Sequence, residues 1–101
     1  MTEDNKFNVG DIVLALAGRD SERLFIIVGI IDENYVYIAD GKSRKADSPK
    51  KKKIKHIELV KKSGDINDLF PNKVRDKNGK FTNSGLRKII SEIKAGENQN
   101  K

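Results

Sequence analysis

Three short apolar segments, separated by turn residues, constrain the fold of this chain more than any other feature. Ile12–Ala17, Arg23–Ile31 and Tyr35–Ala39 are rich in the branched and aromatic side chains that favour β-strands. The segments between them, Gly18–Glu22 and Asp32–Asn34, are polar and typical of tight loops. The second segment is almost continuously apolar, which predicts a strand at the centre of the sheet. No stretch between the segments is long enough for a crossover helix, so the pattern favours a small, mainly β structure.

The next residues predict two further strands. Asp40 and Gly41 are a typical two-residue hairpin signal, which predicts a short edge strand over Lys42–Ala46 that ends before Pro49. A last strand is predicted over Lys53–Leu59. Its candidate core residues are Ile54, Ile57 and Leu59. Only 36% of the residues are hydrophobic, too few for a two-sheet sandwich, so the five strands predict an SH3-like barrel.

The C-terminal third predicts a short helix. Leu86, Ile89, Ile90 and Ile93 recur at the spacing of one helix face, with Thr82 or Asn83 as the cap and Gly96 as the end. A helix of three turns is marginal alone and must dock its apolar face, either on the barrel or on a partner. We favour the barrel. The predicted domains are therefore a barrel over residues 7–62, a helical extension packing on it over 63–96 and a disordered tail over 97–101.

The positive charge of the chain is concentrated in one segment. The net charge is +6, but residues 42–62 alone contain ten Lys and Arg against two acidic residues, so this segment carries +8 and the rest −2. Such a local patch is the electrostatic footprint of a polyphosphate partner, although lysines can also merely solvate a surface. A membrane-surface role is disfavoured, because no amphipathic helix or lipidation motif lies beside the patch.

The composition disfavours several classes of protein. The chain contains no cysteine and a single histidine, which excludes disulfide frameworks and thiolate zinc sites and makes most triad chemistry improbable. Its carboxylates are scattered and no phosphate-binding glycine loop precedes a helix. The apolar runs are too short to cross a bilayer, and the first residues are polar. We therefore expect a cytoplasmic, monomeric protein that is not an enzyme and uses no metal or cofactor.

Several short motifs in one register resemble a known family. Val9–Val13, Ala17–Asp20 and Val28–Asp32 resemble the KOW motif of RNA-associated proteins. Ile30–Val36, Asp40–Gly41 and the basic run ending in Ile54–Glu58 look like the archaeal and eukaryotic large-subunit ribosomal protein 14e family. Short stand-alone bacterial proteins of the KOW type are similar to this chain in size. The resemblance implies an SH3-like barrel that binds structured RNA, usually ribosomal, without catalysis.

The loop after the first strand carries the family-matched positions Gly18 and Arg19. A glycine there allows the backbone to approach a phosphate, and the arginine can bind the same group; both residues can equally be a simple turn with a solvated side chain. The family usually has a second glycine four residues after Gly18, where this chain has Glu22. If that glycine serves a positive φ, the loop of this chain is expected to bend differently.

These arguments predict an RNA-binding surface. Its predicted residues are Gly18, Arg19, Arg23, Lys42, Arg44, Lys45, Lys50, Lys51, Lys52, Lys53, Lys55 and His56. An extended backbone is expected to splay the four consecutive lysines to opposite sides. Tyr35 and Tyr37 share one strand face, where they can stack a base or belong to the core or its rim. Two alternatives remain: an SH3-like module that binds acidic or peptide partners, and a transcription-associated KOW factor that uses the same domain on DNA.

Overall fold

The computed structural model describes residues 7–19, 21–62 and 76–99. Within them lie five β-strands, one 3₁₀ turn and one α-helix. The strands are β1 (Ile12–Ala15), β2 (Leu24–Ile30), β3 (Tyr35–Ala39), β4 (Lys50–Lys53) and β5 (Ile57–Lys61). The 3₁₀ turn, Ile54–His56, joins β4 to β5, and the helix, α1, spans Asn83–Gln99.

All five strands form one antiparallel sheet in the order β4-β3-β2-β1-β5. The mainly β, SH3-like class with a C-terminal helix is therefore confirmed. The sheet is open, however: over the described ranges β4 and β5 stay at its two edges and do not pair with each other. β2 has neighbours on both sides, as its apolar sequence predicted.

Strand β1 and the first half of β2 are buried on both faces. Alternate residues such as Val13, Phe25 and Ile38 form a cluster on one face of the sheet, the inner cluster. Their neighbours along the strands, including Ile12 and Ile26, form a second cluster on the outer face together with the helix. This explains the continuous apolar run of β2, because a strand covered on both sides needs no polar alternation.

The helix supplies the cover for the outer face. Leu86 and Ile89 are fully buried against β1 and β2, which confirms the helix face predicted from the spacing of the apolar residues. The Thr82 hydroxyl accepts the N–H of Gly85 at 3.0 Å, as expected for the cap. The predicted end at Gly96 is wrong, since an interior glycine costs only about 1 kcal/mol and the helix continues through residues 97–99. No helix in the described ranges is long and apolar enough to cross a membrane.

The strand predicted over Lys42–Ala46 is wrong. The Asp40 carboxylate accepts the N–H groups of Lys42 and Arg44, and the Arg44 carbonyl accepts the N–H of Gly41, so this segment is a closed loop. The edge strand is instead the lysine run itself, Lys50–Lys53. The predicted last strand begins later than expected, at Ile57, because Ile54–His56 form the 3₁₀ turn.

The predicted core contacts near the end of the sheet are present only in part. Ile57 and Ile54 pack on the inner cluster as predicted, whereas Leu59 is 39% exposed and does not. Residues 63–75, where the helical extension was expected to start, lie outside the described residues, as do residues 100 and 101 of the predicted tail.

Candidate nucleic-acid interface

The four consecutive lysines alternate across strand β4. Tyr37 pairs with Lys51 and Tyr35 with Lys53, so these two lysines share the outer face with the two tyrosines. Both lysines are exposed. Lys50 and Lys52 oppose Ile38 and Val36 of the inner cluster and so belong to the other face. The expected splaying of the run is therefore observed, and only part of its charge points to any one side.

Lys52 is used inside the fold. Its side chain is 8% exposed, and its Nζ donates to the Ala17 carbonyl at 3.0 Å, at the start of the loop between β1 and β2. The aliphatic stem lies along the core while the ammonium reaches the loop. This contact ties β4 to the loop, and it removes Lys52 from the set of side chains presented to a ligand.

The β1–β2 loop contains two residues with positive φ. Gly18 has φ +84°, and its carbonyl accepts the N–H of Ser21 at 3.1 Å. Glu22 has φ +69°, and its N–H donates to the Ala15 carbonyl at 2.7 Å. Glu22 thus adopts the left-handed conformation that a glycine adopts at lower cost. Arg19 is exposed on this loop.

Arg23 is held at the exit of the loop. Its Nη2 donates to the Ser43 hydroxyl at 2.9 Å and lies 3.6 Å from the Asp40 carboxylate. These contacts join the β1–β2 loop to the loop of residues 40–49. Lys42, Arg44 and Lys45 are exposed on that second loop. The two loops therefore present their basic residues at the same end of the sheet.

Asp40 organises this second loop. Burial raises the pKa of its carboxyl, but hydrogen bonds from the N–H groups of Arg44 and Lys42 and from the Ser43 hydroxyl lower it, as does the charge of Arg23. The net pKa lies below its ordinary value of 3.8. The carboxylate thus accepts the internal hydrogen bonds that hold this loop closed.

The 3₁₀ turn places the last two predicted residues beside the first loop. Lys55 is exposed and His56 is half-buried, and the His56 carbonyl accepts the N–H of Leu16 at 2.8 Å. Gly18, Lys52 and the turn are consequently neighbours. The predicted residues fall around the β1–β2 loop on two sides, with Lys55 and His56 on one and Arg23 and Lys42 on the other.

The helix adds basic residues that the sequence analysis did not include. A groove of about 320 Å³ lies between the two loops and α1, and Arg87 and Lys94 of the helix line it with Arg23 and Lys42. Arg87 also donates to the Gly41 carbonyl at 2.6 Å. The sequence does contain a signal for these two residues, because Arg87 and Lys94 directly follow the apolar residues Leu86 and Ile93 in the helical repeat. Within the described ranges no group of three or more metal-ligating side chains could hold an ion.

Comparisons with known proteins bear on this surface. No protein-family model matches the chain. It is 41% identical over 58 residues to the large ribosomal subunit protein eL14 of Staphylothermus marinus, covering 57% of this chain and 60% of that protein. Over these residues the chain is similar to eL14. The eL14 of Desulfurococcus amylolyticus is 42% identical over 55 residues, 54% of this chain and 57% of that protein. For the eL14 of Aeropyrum pernix the identity is 40% over 58 residues, 57% of this chain and 58% of that protein.

The similarity to eL14 confirms the resemblance predicted from the sequence motifs. It is partial, because the chain spans about three fifths of the length of the curated relatives it matches.

Proposed function

We propose that this chain binds structured RNA, with ribosomal RNA as its main target, as a non-catalytic component or factor of the ribosome in the cytoplasm. The observation that carries the proposal is the exposure of Lys51 and Lys53 on one face of an edge strand, in a chain similar to eL14. Lysines in this arrangement present point charges to the phosphate backbone and do not read bases.

The two loops give this surface its shape. Lys42, Arg44 and Lys45 extend the positive charge from β4 to the β1–β2 loop, where Arg19 and Arg23 present planar guanidinium groups. Guanidinium groups bind phosphate in a bidentate manner and with defined orientation. The proposed mechanism is therefore electrostatic capture by the lysines, followed by docking of the loops on a folded RNA backbone.

A salt titration of RNA affinity tests this mechanism. Each neutralised phosphate releases counterions, which changes the slope of log K against log salt by about 0.7 for single strands and 0.9 for duplexes. We expect the double variant Lys51→Gln/Lys53→Gln to flatten the slope by about one to two units on a ribosomal RNA fragment and equally on an unrelated RNA. Co-sedimentation with ribosomes over the same salt series measures the association itself.

The matched control removes two charges elsewhere. Lys77→Gln/Lys88→Gln changes one exposed residue of the turn before α1 and one exposed residue of α1, both outside the basic segment 42–62 and the proposed interface. Its slope should remain close to that of the unchanged protein. An unchanged slope in Lys51→Gln/Lys53→Gln would refute the proposal, and so would tighter binding of DNA duplexes or acidic peptides, which would favour the transcription-associated and protein-interaction alternatives.

A further inference from the structure

The helix covers only half of the outer face of the sheet. It packs against β1 and β2 and reaches β3 at Ala39, all of which are apolar there. The other half of the same face, formed by β3 and β4, contains Tyr35, Tyr37, Lys51 and Lys53. Among the described residues the helix leaves this second half open, and Tyr37 is 41% exposed. A sheet face that alternates tyrosine and lysine has the composition of a surface that binds single-stranded nucleic acid.

The Tyr37 ring packs against Gly29 of β2. Tyr37 pairs with Gly29 of β2, and a Cβ placed on that glycine would lie 3.3 Å from the Tyr37 Cδ2. The absence of a side chain at Gly29 thus lets the ring lie close to the backbone of β2. Since this packing fixes the ring while leaving a large part of it exposed, Tyr37 is preorganised to stack on a flat partner.

The neighbouring tyrosine is covered. The Lys51 Nζ lies 4.5 Å from the centroid of the Tyr35 ring, a cation–π contact. Tyr35 is only partly exposed. The two tyrosines are therefore not equivalent: Tyr37 offers an open ring, and Tyr35 positions an ammonium group beside it.

A groove begins at Tyr37. It has a volume of about 590 Å³ and lies between the outer face of the sheet and the residues that lead into α1. Its apolar lining includes Val28, Pro49 and Phe81 as well as Tyr37. Lys80 and Asp47 line it too and balance each other in charge. The groove thus combines an aromatic ring and apolar walls, and Lys51 of β4 pairs with Tyr37 beside it.

We propose that Tyr37 and this groove receive an unpaired nucleobase of the bound RNA. The inference rests on the proposed function, because it assigns the unpaired bases of the proposed RNA ligand to one part of the surface. Stacking on an aromatic ring requires a base that is splayed out of a helix, whereas the phosphates on either side of that base would meet Lys51 and Lys53. A fully paired duplex cannot use the site, since its base faces are already stacked.

Tyrosine fluorescence tests the proposal without disturbing the fold. The chain contains two tyrosines and no tryptophan, so Tyr35→Phe leaves Tyr37 as the sole emitter and Tyr37→Phe leaves Tyr35. We expect unstructured oligouridine to quench Tyr35→Phe strongly and Tyr37→Phe weakly, because only the open ring stacks. A duplex RNA of equal length should quench neither variant strongly. As a second measurement, Tyr37→Leu should weaken binding of oligouridine about ten-fold and leave duplex binding within about two-fold.

The outcomes separate this inference from the proposed function. If both RNAs bind but Tyr37 is quenched no more than Tyr35, the stacking site is refuted and the electrostatic surface stands. Equal quenching of Tyr37 by duplex and by oligouridine would also overturn it, because the signal would then report proximity of the RNA rather than stacking. If neither RNA binds at low salt, the proposed function itself fails.

Discussion

At the scale of single residues, one glycine joins the second loop to the helix. Gly41 has φ +79°, and a Cβ at this position would collide with the Asn83 carbonyl at the start of α1. Its own carbonyl accepts a hydrogen bond from Arg87 at 2.6 Å. The Asn83 side chain accepts the N–H of Ala46 at 2.7 Å in the same region. The close approach of loop and helix therefore depends on the missing side chain.

We predict that Gly41→Ala lowers the free energy of unfolding by about 2–4 kcal/mol, because it adds a steric collision to the cost of a left-handed backbone. Gly79→Ala is the matched control: Gly79 has φ +82°, but a Cβ there meets nothing within 4 Å. It should cost only about 1 kcal/mol. Urea denaturation of both variants measures the difference. Equal losses would show that the collision is relieved by a small shift of the helix.

At the scale of secondary-structure elements, the helix and the sheet share one core. Leu86 is fully buried in the outer cluster with Ile12 and Ile26. We predict that Leu86→Ala costs about 2–5 kcal/mol and destabilises the sheet as well as the helix. Far-ultraviolet circular dichroism follows α1, while tyrosine fluorescence follows β3, which holds both tyrosines. The two transitions should coincide in the variant and in the unchanged protein.

Lys88→Ala, at an exposed position of the same helix, is the control and should change stability by less than about 0.5 kcal/mol. Separate transitions for helix and sheet would contradict a shared core. In that case the helix would be an independent extension, and the residues up to Lys62 would fold without it.

The elements differ in how far the sequence predicts them. β3 was predicted at its observed bounds, because its aromatic and aliphatic residues alternate and its ends are marked by turn residues. β4 was missed, because four lysines have low β propensity and their strand is defined by pairing with β3 rather than by their own pattern. The Asp40–Gly41 pair was misleading for a related reason: the Asp40 carboxylate closes a larger loop than the two-residue hairpin it usually indicates.

The candidate site was predictable in composition but not in geometry. The basic segment and the Gly18 loop follow from charge and motif. The burial of Lys52 does not, since it depends on which face of an edge strand meets the core. The pairing of Tyr37 with Gly29 likewise depends on strand register, which the residues of either strand alone do not specify.

At the scale of the whole molecule, Asp40 connects stability to pH. Its carboxylate contacts Arg23, which directly precedes β2, and Ser43 in the second loop. The carbonyl of the next residue, Gly41, accepts a hydrogen bond from Arg87 of α1. Because its pKa in the folded protein lies below 3.8, the deprotonated form is favoured by folding. The stability it contributes is therefore fully present above that pH and is lost as the pH falls through the lower, folded-state value.

We predict that Asp40→Asn lowers the free energy of unfolding by about 1–3 kcal/mol at neutral pH, since the amide keeps one acceptor oxygen but loses the charge. The difference between the variant and the unchanged protein should shrink as the pH falls below 3.8, because protonation removes the same charge from Asp40. Urea denaturation at a series of pH values from neutral to strongly acidic measures this. Asp47→Asn, at an exposed position of the same loop, is the control and should parallel the unchanged protein. A difference for Asp40→Asn that stays constant over the whole pH range would show that the carboxylate acts through its shape and not through its charge.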